Sequence, residues 1–256
     1  MNVATIATFA TLMVLAFTLT ACTRTPASPR AAGTTKAFVT TTVTTTTAIT
    51  TTTPTTPTTT TTPANTAPTA SSGTITRVTA TDLPSTYRTG CPVGPDALRM
   101  LHVSYWGFDD RPHVGAIVVN AAVTRPVVDV FAMLFHEHFP IRRMEPVDAF
   151  GGSDPVSMAA DNTSGFNCRN AVAAGPPHWS AHAYGEAIDV NPVENPYIEG
   201  GRVQPAAGAS FVDRRRLRPG MAAPGTVVNR AFASVGWLWG GRWTAPDYQH
   251  FSKTGG

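Results

Sequence analysis

Residues 180–189 read SAHAYGEAID, and the predicted domain is organised around this stretch. Its last part continues into residues 187–191, AIDVN, which predict a short strand that Pro192 ends. Gly185 lies between His182 and Asp189 and favours a tight turn there. A turn followed by a strand can bring the imidazole and the carboxylate to one point.

A second stretch near the C-terminus, residues 247–250, reads DYQH and continues a short aromatic run typical of a strand. His182, Asp189 and His250 together offer two ring nitrogens and one carboxylate. Three such ligands with an open fourth position are typical of a catalytic zinc site. If a tight turn leads into the second strand, Asp247 would lie beside that open position, where a general base is needed.

Taken in this order, the two stretches resemble the motifs of a known family. These motifs are Ser-x-His-x-x-Gly-x-Ala-x-Asp followed by (Asp/Glu)-x-x-His. The family comprises the zinc D,D-carboxypeptidases and L-alanyl-D-glutamate endopeptidases of the VanY and phage-endolysin type. Further blocks look like the family's own: HVGAIVVN at 113–120, FPIRRM at 139–144, DNTSGFNCR at 161–169, and Asn-Pro pairs at 191–192 and 195–196. The resemblance runs from about residue 110 to 252.

The resemblance implies a role for each candidate residue. The three predicted ligands would bind Zn²⁺, Asp247 would be the catalytic base, and Arg169 would orient the substrate. An acid such as Asp161 is an alternative partner for Arg169. Ser180 either caps the turn before His182 or binds a carboxylate or amide of the substrate. Asp rather than Glu at the base position favours the endolysin-like branch.

The expected function is zinc-dependent cleavage of peptidoglycan stem peptides, as a D-Ala-D-Ala carboxypeptidase or an L-Ala-D-Glu endopeptidase. One alternative is a non-catalytic wall-binding module on the same fold. It is disfavoured because an acid occupies the base position, and because a structural zinc site usually has four protein ligands. Another is a regulatory or interaction lipoprotein that works through its linker. We expect a monomer that binds stem peptides and no nucleic acid.

The rest of the domain predicts an α+β fold, with a small antiparallel sheet flanked by helices. Residues 127–139 place apolar side chains at helical spacing, whereas residues 114–120 form a β-branched run typical of a buried strand. Residues 93–104 and 227–235 predict helices, and residues 199–225, rich in Gly, Pro and Arg, predict a long surface loop whose Arg214–Arg218 cluster is solvated. Strands and helices do not alternate in βαβ order, which favours the α+β class.

The N-terminal third differs sharply in composition. Residues 3–21 are mostly apolar, and residues 19–22 read LTAC, which resembles a bacterial lipoprotein signal with Cys22 as the lipidated residue. Thr fills 18 of the 23 positions from 40 to 62, a composition that cannot form a core. We therefore predict a signal peptide at 1–21, a disordered linker at 22–80 and the peptidase domain at 81–256.

This arrangement predicts a domain tethered by lipid to the outer face of the bacterial cell membrane and reaching into the cell wall. No Lys or Arg precedes the apolar segment, so an uncleaved membrane anchor is the alternative. Either anchor places the domain outside the cytoplasm. In that oxidising compartment, the two cysteines other than Cys22, Cys91 and Cys168, are expected to form a disulfide.

The charge distribution argues against a nucleic-acid partner. The chain has 19 basic and 16 acidic residues, but four of the basic ones and none of the acidic ones precede residue 81. The predicted domain is therefore close to neutral and lacks a basic footprint.

The run His136-Glu137-His138 is a second cluster with metal-ligand chemistry. Residues two apart on a helix do not face each other, so these two imidazoles are not expected to share a metal.

Overall fold

The computed structural model describes residues 73–172 and 175–255. The predicted signal peptide, Cys22 and the linker up to residue 72 lie outside these ranges. The predicted linker end at residue 80 needs correction, because Gly73–Arg77 forms a strand, β1, of the domain's largest sheet. All five of its residues are exposed, so the strand has no buried face. The sequence therefore lacks the alternation of apolar and polar residues that predicts a half-buried strand.

The largest sheet is built around β2 (Leu98–Gly107), which pairs antiparallel with β1 on one side and with β3 (Pro112–Asn120) on the other. The helix predicted at 93–104 is therefore wrong: a single 3₁₀ turn, Pro95–Ala97, precedes the long strand. Pairing along both edges of β2 outweighs the weak local preference for helix. The strand predicted at 114–120 is present as β3.

Helix α1 (Thr124–His136) follows β3 and packs against β2. The predicted periodicity is confirmed, since its buried residues are Val127, Val130, Phe131, Leu134 and Phe135. The chain then forms β4 (Pro140–Ile141), parallel to the end of β2, and β5 (Arg143–Met144). Helix α2 (Asp154–Ala159) precedes β6 (Asn162–Thr163), which pairs with β5.

The C-terminal half carries two smaller sheets. One contains β7 (Ala187–Asp189), and the other is the hairpin of β8 (Tyr197–Glu199) and β9 (Arg202–Gln204). Helix α3 (Val227–Ser234) agrees with the prediction at 227–235. Strands β10 (Leu238–Trp239) and β11 (His250–Ser252) complete the first sheet in the order β10-β11-β7. The mixture of small, mainly antiparallel sheets and helices confirms the α+β class.

The predicted surface loop at 199–225 is more ordered than expected. It begins with the β8–β9 hairpin and continues through a 3₁₀ helix at Ala206–Phe211. The prediction of a solvated arginine cluster is wrong for Arg214, which packs 4.4 Å from the ring centroid of Tyr248. Its guanidinium also donates to Glu194 O at 2.7 Å and to Asn195 Oδ1 at 2.6 Å, so it ties this segment to the domain.

None of the helices in the described ranges has both the length and the apolar character needed to span a bilayer.

Candidate metal centre

His182 is positioned by a short 3₁₀ helix, Ala181–Tyr184. The Ser180 hydroxyl caps this helix by accepting a hydrogen bond from the His182 N–H at 3.3 Å. Gly185 ends it in the left-handed conformation, with φ of 67°. A Cβ at Gly185 would lie 2.6 Å from the backbone N of Asn120, so the turn packs too closely on β3 for a side chain.

Asp189 and His250 come from adjacent strands, β7 and β11, and are directly paired in the antiparallel register. The neighbouring pair, Ile188 and Phe251, is fully buried in the main core. Because side chains alternate along a strand, burial of that pair turns Asp189 and His250 together to the other face of the sheet. The apolar residues thereby determine where the two polar side chains meet.

Three donor atoms converge at this point. His182 Nε2 lies 3.2 Å from His250 Nδ1 and 3.2 Å from an oxygen of Asp189, and His250 Nδ1 lies 3.2 Å from the other Asp189 oxygen. Ligands at about 2.0–2.1 Å from a tetrahedral Zn²⁺ lie about 3.3 Å from one another, so this spacing fits the ion. All three residues are buried, and they are the one such group of three or more His, Cys, Asp or Glu found in the described ranges.

The orientation of His182 is set by its other ring nitrogen. Nδ1 lies 2.7 Å from the backbone oxygen of Gly165, which can only accept, so Nδ1 carries a proton and the neutral ring has its lone pair on Nε2. A Cβ at Gly165 would lie 2.3 Å from the Val118 oxygen, so glycine is required here for packing. This contact supplies the outer hydrogen bond that metal-binding histidines usually make.

The electrostatics give Asp189 and His250, but not His182, the protonation states that metal binding requires. Burial alone would raise the pKa of Asp189, but the two imidazoles lower it far more, and the carboxylate is ionised. Burial lowers the pKa of His250, which favours its neutral form. Burial also lowers the pKa of His182, but its charge interaction and hydrogen bond with Asp189 raise that pKa by a larger amount. The net shift of the His182 pKa is therefore upward. A raised pKa favours a proton on the ring nitrogen that faces Asp189, and a bound cation would displace that proton.

Asp247 lies beside these ligands but outside the group. Its carbonyl accepts a hydrogen bond from the His250 N–H at 3.3 Å, in the tight turn that leads into β11. Its Oδ1 is buried and has no hydrogen-bond partner. Burial and the nearby Asp189 charge hold the pKa of Asp247 well above its usual value, which is the property expected of a base that must both take and return a proton.

A cavity of about 470 Å³ opens onto the metal centre. Ser180 and Arg169 line it, as do all three predicted ligands and Asp247. The structure therefore brings every residue of the predicted zinc, base and substrate-binding set to one cavity.

The acid that pairs with Arg169 is not Asp161, the partner suggested from the sequence. Arg169 Nη2 pairs with Asp154 at 2.8 Å, whereas Asp161 lies 3.5 Å from Arg142. Arg169 Nε is buried without a partner, which leaves one donor of the guanidinium free. Asp154 begins α2 behind the Ser153 cap.

The disulfide supports the same segment. Cys91 and Cys168, the predicted pair, are bonded across 77 residues. Cys168 immediately precedes Arg169, and the Asn167 N–H donates to the His182 oxygen at 3.1 Å. The disulfide therefore holds the segment that carries Arg169 next to the metal centre.

The second histidine cluster does not form a site. His136 ends α1 and is exposed, whereas the His138 ring stacks on Trp106 with 3.9 Å between centroids. The two imidazoles have separate surroundings, but helical spacing is not the reason, because α1 ends at His136 and His138 lies beyond it with φ of 51°.

Comparison with known proteins bears on the C-terminal part of the chain. Residues 174–253 match the family model described as D-alanyl-D-alanine carboxypeptidase. A search of curated proteins and a search of solved structures gave no match. The matched segment contains Ser180, the three predicted ligands and Asp247, while Arg169 and the upstream blocks precede it. Over the segment that carries the candidate metal centre, the chain is thus similar to D-alanyl-D-alanine carboxypeptidases, which supports a peptidase.

Proposed function

We propose that the protein is a zinc-dependent peptidase that cleaves peptidoglycan stem peptides. The observation that carries this proposal is the meeting of three buried donors, 3.2 Å apart, with a separate carboxylate at one cavity. The similarity of residues 174–253 to D-alanyl-D-alanine carboxypeptidases supports the substrate class.

His182, Asp189 and His250 would hold the ion. When bound, Zn²⁺ supplies a Lewis acid that polarises the scissile carbonyl and makes water more acidic. Three protein ligands would leave one coordination position for water or substrate, as catalytic zinc sites require. A purely structural site would usually close with a fourth protein ligand.

Asp247 performs the proton transfers. Its carboxylate takes a proton from the attacking water and returns it to the leaving amine as the peptide bond breaks. The unpartnered Oδ1 has no competing hydrogen bond from the protein, so it is available for that proton. Burial and the Asp189 charge raise its pKa, so the carboxylate holds a proton more strongly than a free aspartate does before returning it.

Arg169 and Ser180 position the peptide. Asp154 fixes one edge of the Arg169 guanidinium, and the buried, unpartnered Nε remains for a carboxylate of the substrate. Arginine suits this role because its planar fork matches a carboxylate in a way that lysine does not. The Ser180 hydroxyl caps the His182 turn, and Ser180 also lines the cavity.

The cellular setting is part of the proposal. Lipidation of Cys22 would tether the chain to the outer face of the bacterial cell membrane, and the Thr/Pro-rich linker would let the domain reach the cell wall. We propose that the protein acts as a monomer there.

The test is digestion of purified muropeptides by the zinc-loaded protein, followed by mass measurement of the products. Loss of one terminal alanine identifies a carboxypeptidase, and release of the stem after its first residue identifies an L-Ala-D-Glu endopeptidase. Binding of muropeptides with no change in their masses would instead indicate a non-catalytic wall-binding module.

A further inference from the structure

The β8–β9 hairpin forms a wall of the cavity that the sequence analysis did not identify. Tyr197 at its start forms a β-bridge with Asp247, and the Ile198 N–H donates to the Pro246 oxygen at 2.9 Å. Continuing this antiparallel register places Glu199 opposite Ala245, about 7 Å along the strand from Tyr197. Glu199 and Ala245 both line the cavity.

Glu199 resembles Asp247, and differs from the two other acids of the cavity, in forming no ion pair with a described residue. Asp154 is paired with Arg169 at 2.8 Å, and Asp189 contacts two imidazoles. Among the residues that the structure describes, no basic group forms an ion pair with Glu199 within 4.0 Å. Its cross-strand partner, Arg202, is exposed and does not line the cavity.

The other two hairpin residues that line the cavity are neutral and polar. Tyr197 and Gln204 are directly paired across the hairpin and, like Glu199, belong to the cavity wall. Burial and the Glu199 charge raise the pKa of Tyr197 to about 12, so its hydroxyl stays protonated and donates to the Val172 oxygen at 3.4 Å. A partly buried carboxylate with neutral neighbours is a suitable acceptor for a cation with several N–H donors.

We propose that Glu199 is a specificity-determining residue that binds an ammonium group of the substrate. This inference rests on the proposed function, because a stem peptide carries such a group on the side chain of its diamino acid. That amine is free in an uncross-linked stem and becomes an amide in a cross-linked one. Glu199 would therefore direct the enzyme to uncross-linked stems, while Arg169 binds a carboxylate of the same peptide.

The experiment compares kcat/KM of the full-length, zinc-loaded protein on three forms of one stem peptide. The side-chain amine is left free, acetylated to remove its charge, or succinylated to replace it with a carboxylate. We expect the wild-type protein to favour the free amine over the acetylated form by about three- to tenfold. Glu199→Gln should bring this ratio close to one, and Glu199→Lys should make the succinylated peptide the preferred substrate.

Arg202→Gln is the matched control, because it changes a charge on the same hairpin at a residue outside the cavity. It should keep the wild-type preference. Equal cleavage of the free and acetylated peptides by the wild-type protein would overturn the inference and leave the proposed function standing. A preference that survives in Glu199→Gln would overturn it as well. Failure of the wild-type protein to cleave any of the three peptides would contradict the proposed function itself, and the inference with it.

Discussion

His250 Nδ1 lies 3.2 Å from a carboxylate oxygen of Asp189, although 61 residues separate the two along the chain. They meet because β7 and β11 pair in a register that places Ile188 and Phe251 in the core. A register shift of one residue would bury the polar pair and expose the apolar one. The metal centre is therefore coupled to the packing of the domain.

His182→Ala should abolish stoichiometric zinc binding, because it removes one of three ligands and a zinc site with two protein ligands is weak. Metal analysis of the purified protein should give about one zinc per wild-type chain and close to none for the variant. His178→Ala is the control, since His178 lines the same cavity but lies outside the ligand group. Unchanged zinc content in His182→Ala would exclude this ligand assignment.

Gly165→Ala should weaken both the fold and the metal centre. The added Cβ would lie 2.3 Å from the Val118 oxygen, and the Gly165 oxygen must stay in place to orient His182. We expect the free energy of unfolding to fall by about 1–3 kcal/mol and zinc affinity to fall with it. Denaturant unfolding and zinc titration measure the two effects. Gly94→Ala, where a Cβ meets no atom within 4 Å, should leave both nearly unchanged.

Loss of the disulfide should affect substrate binding as well as stability. Replacing Cys91 and Cys168 together by Ser should reduce the free energy of unfolding by about 2–5 kcal/mol. Because Cys168 adjoins Arg169, we also expect KM to rise. Thiol labelling of the denatured, unreduced protein should find neither cysteine free. Two reactive thiols at these positions would show that the bond does not form in the purified protein.

Arg169→Ala should lower kcat/KM on stem peptides by about ten- to a hundredfold while leaving zinc bound, because it removes a charged hydrogen-bond donor to the substrate. Arg169→Lys should recover little, since an ammonium cannot pair with Asp154 and a substrate carboxylate in the same geometry. Arg230→Ala, at an exposed position whose guanidinium donates to the Gly225 oxygen, serves as the control. Equal kinetics in all four proteins would remove Arg169 from the binding site.

The candidate ligands could be predicted from sequence because their chemistry and spacing are local. The turn at Gly185 and the short strands around Asp189 and His250 each involve only a few residues. The same local reasoning found α1 from its apolar periodicity and the disulfide from the number of cysteines. These features depend on neighbouring residues or on simple pairing, which a sequence displays directly.

Other parts depend on tertiary contacts that no local pattern shows. β1 has no buried face, and β2 is a strand because it pairs on both sides, so the sequence indicated a linker and a helix instead. Asp154 meets Arg169 from α2, a short helix that was not predicted from the sequence. Glu199 reaches the cavity through the bridge between Tyr197 and Asp247, which are far apart in sequence.

The central claim is that the ligands and the base are separate groups. Zinc content and turnover of muropeptides, measured together in Asp247→Ala and Asp189→Ala, test it most directly. Asp247→Ala should keep its zinc and lose roughly 10²–10⁴ in rate, because only proton transfer is removed. Asp247→Asn should behave alike, and Asp247→Glu should keep part of the activity. Asp189→Ala should lose zinc and activity together. Loss of zinc from Asp247→Ala together with retention of zinc by Asp189→Ala would contradict this assignment. Turnover of muropeptides at the wild-type rate in both variants would contradict the metallopeptidase mechanism altogether.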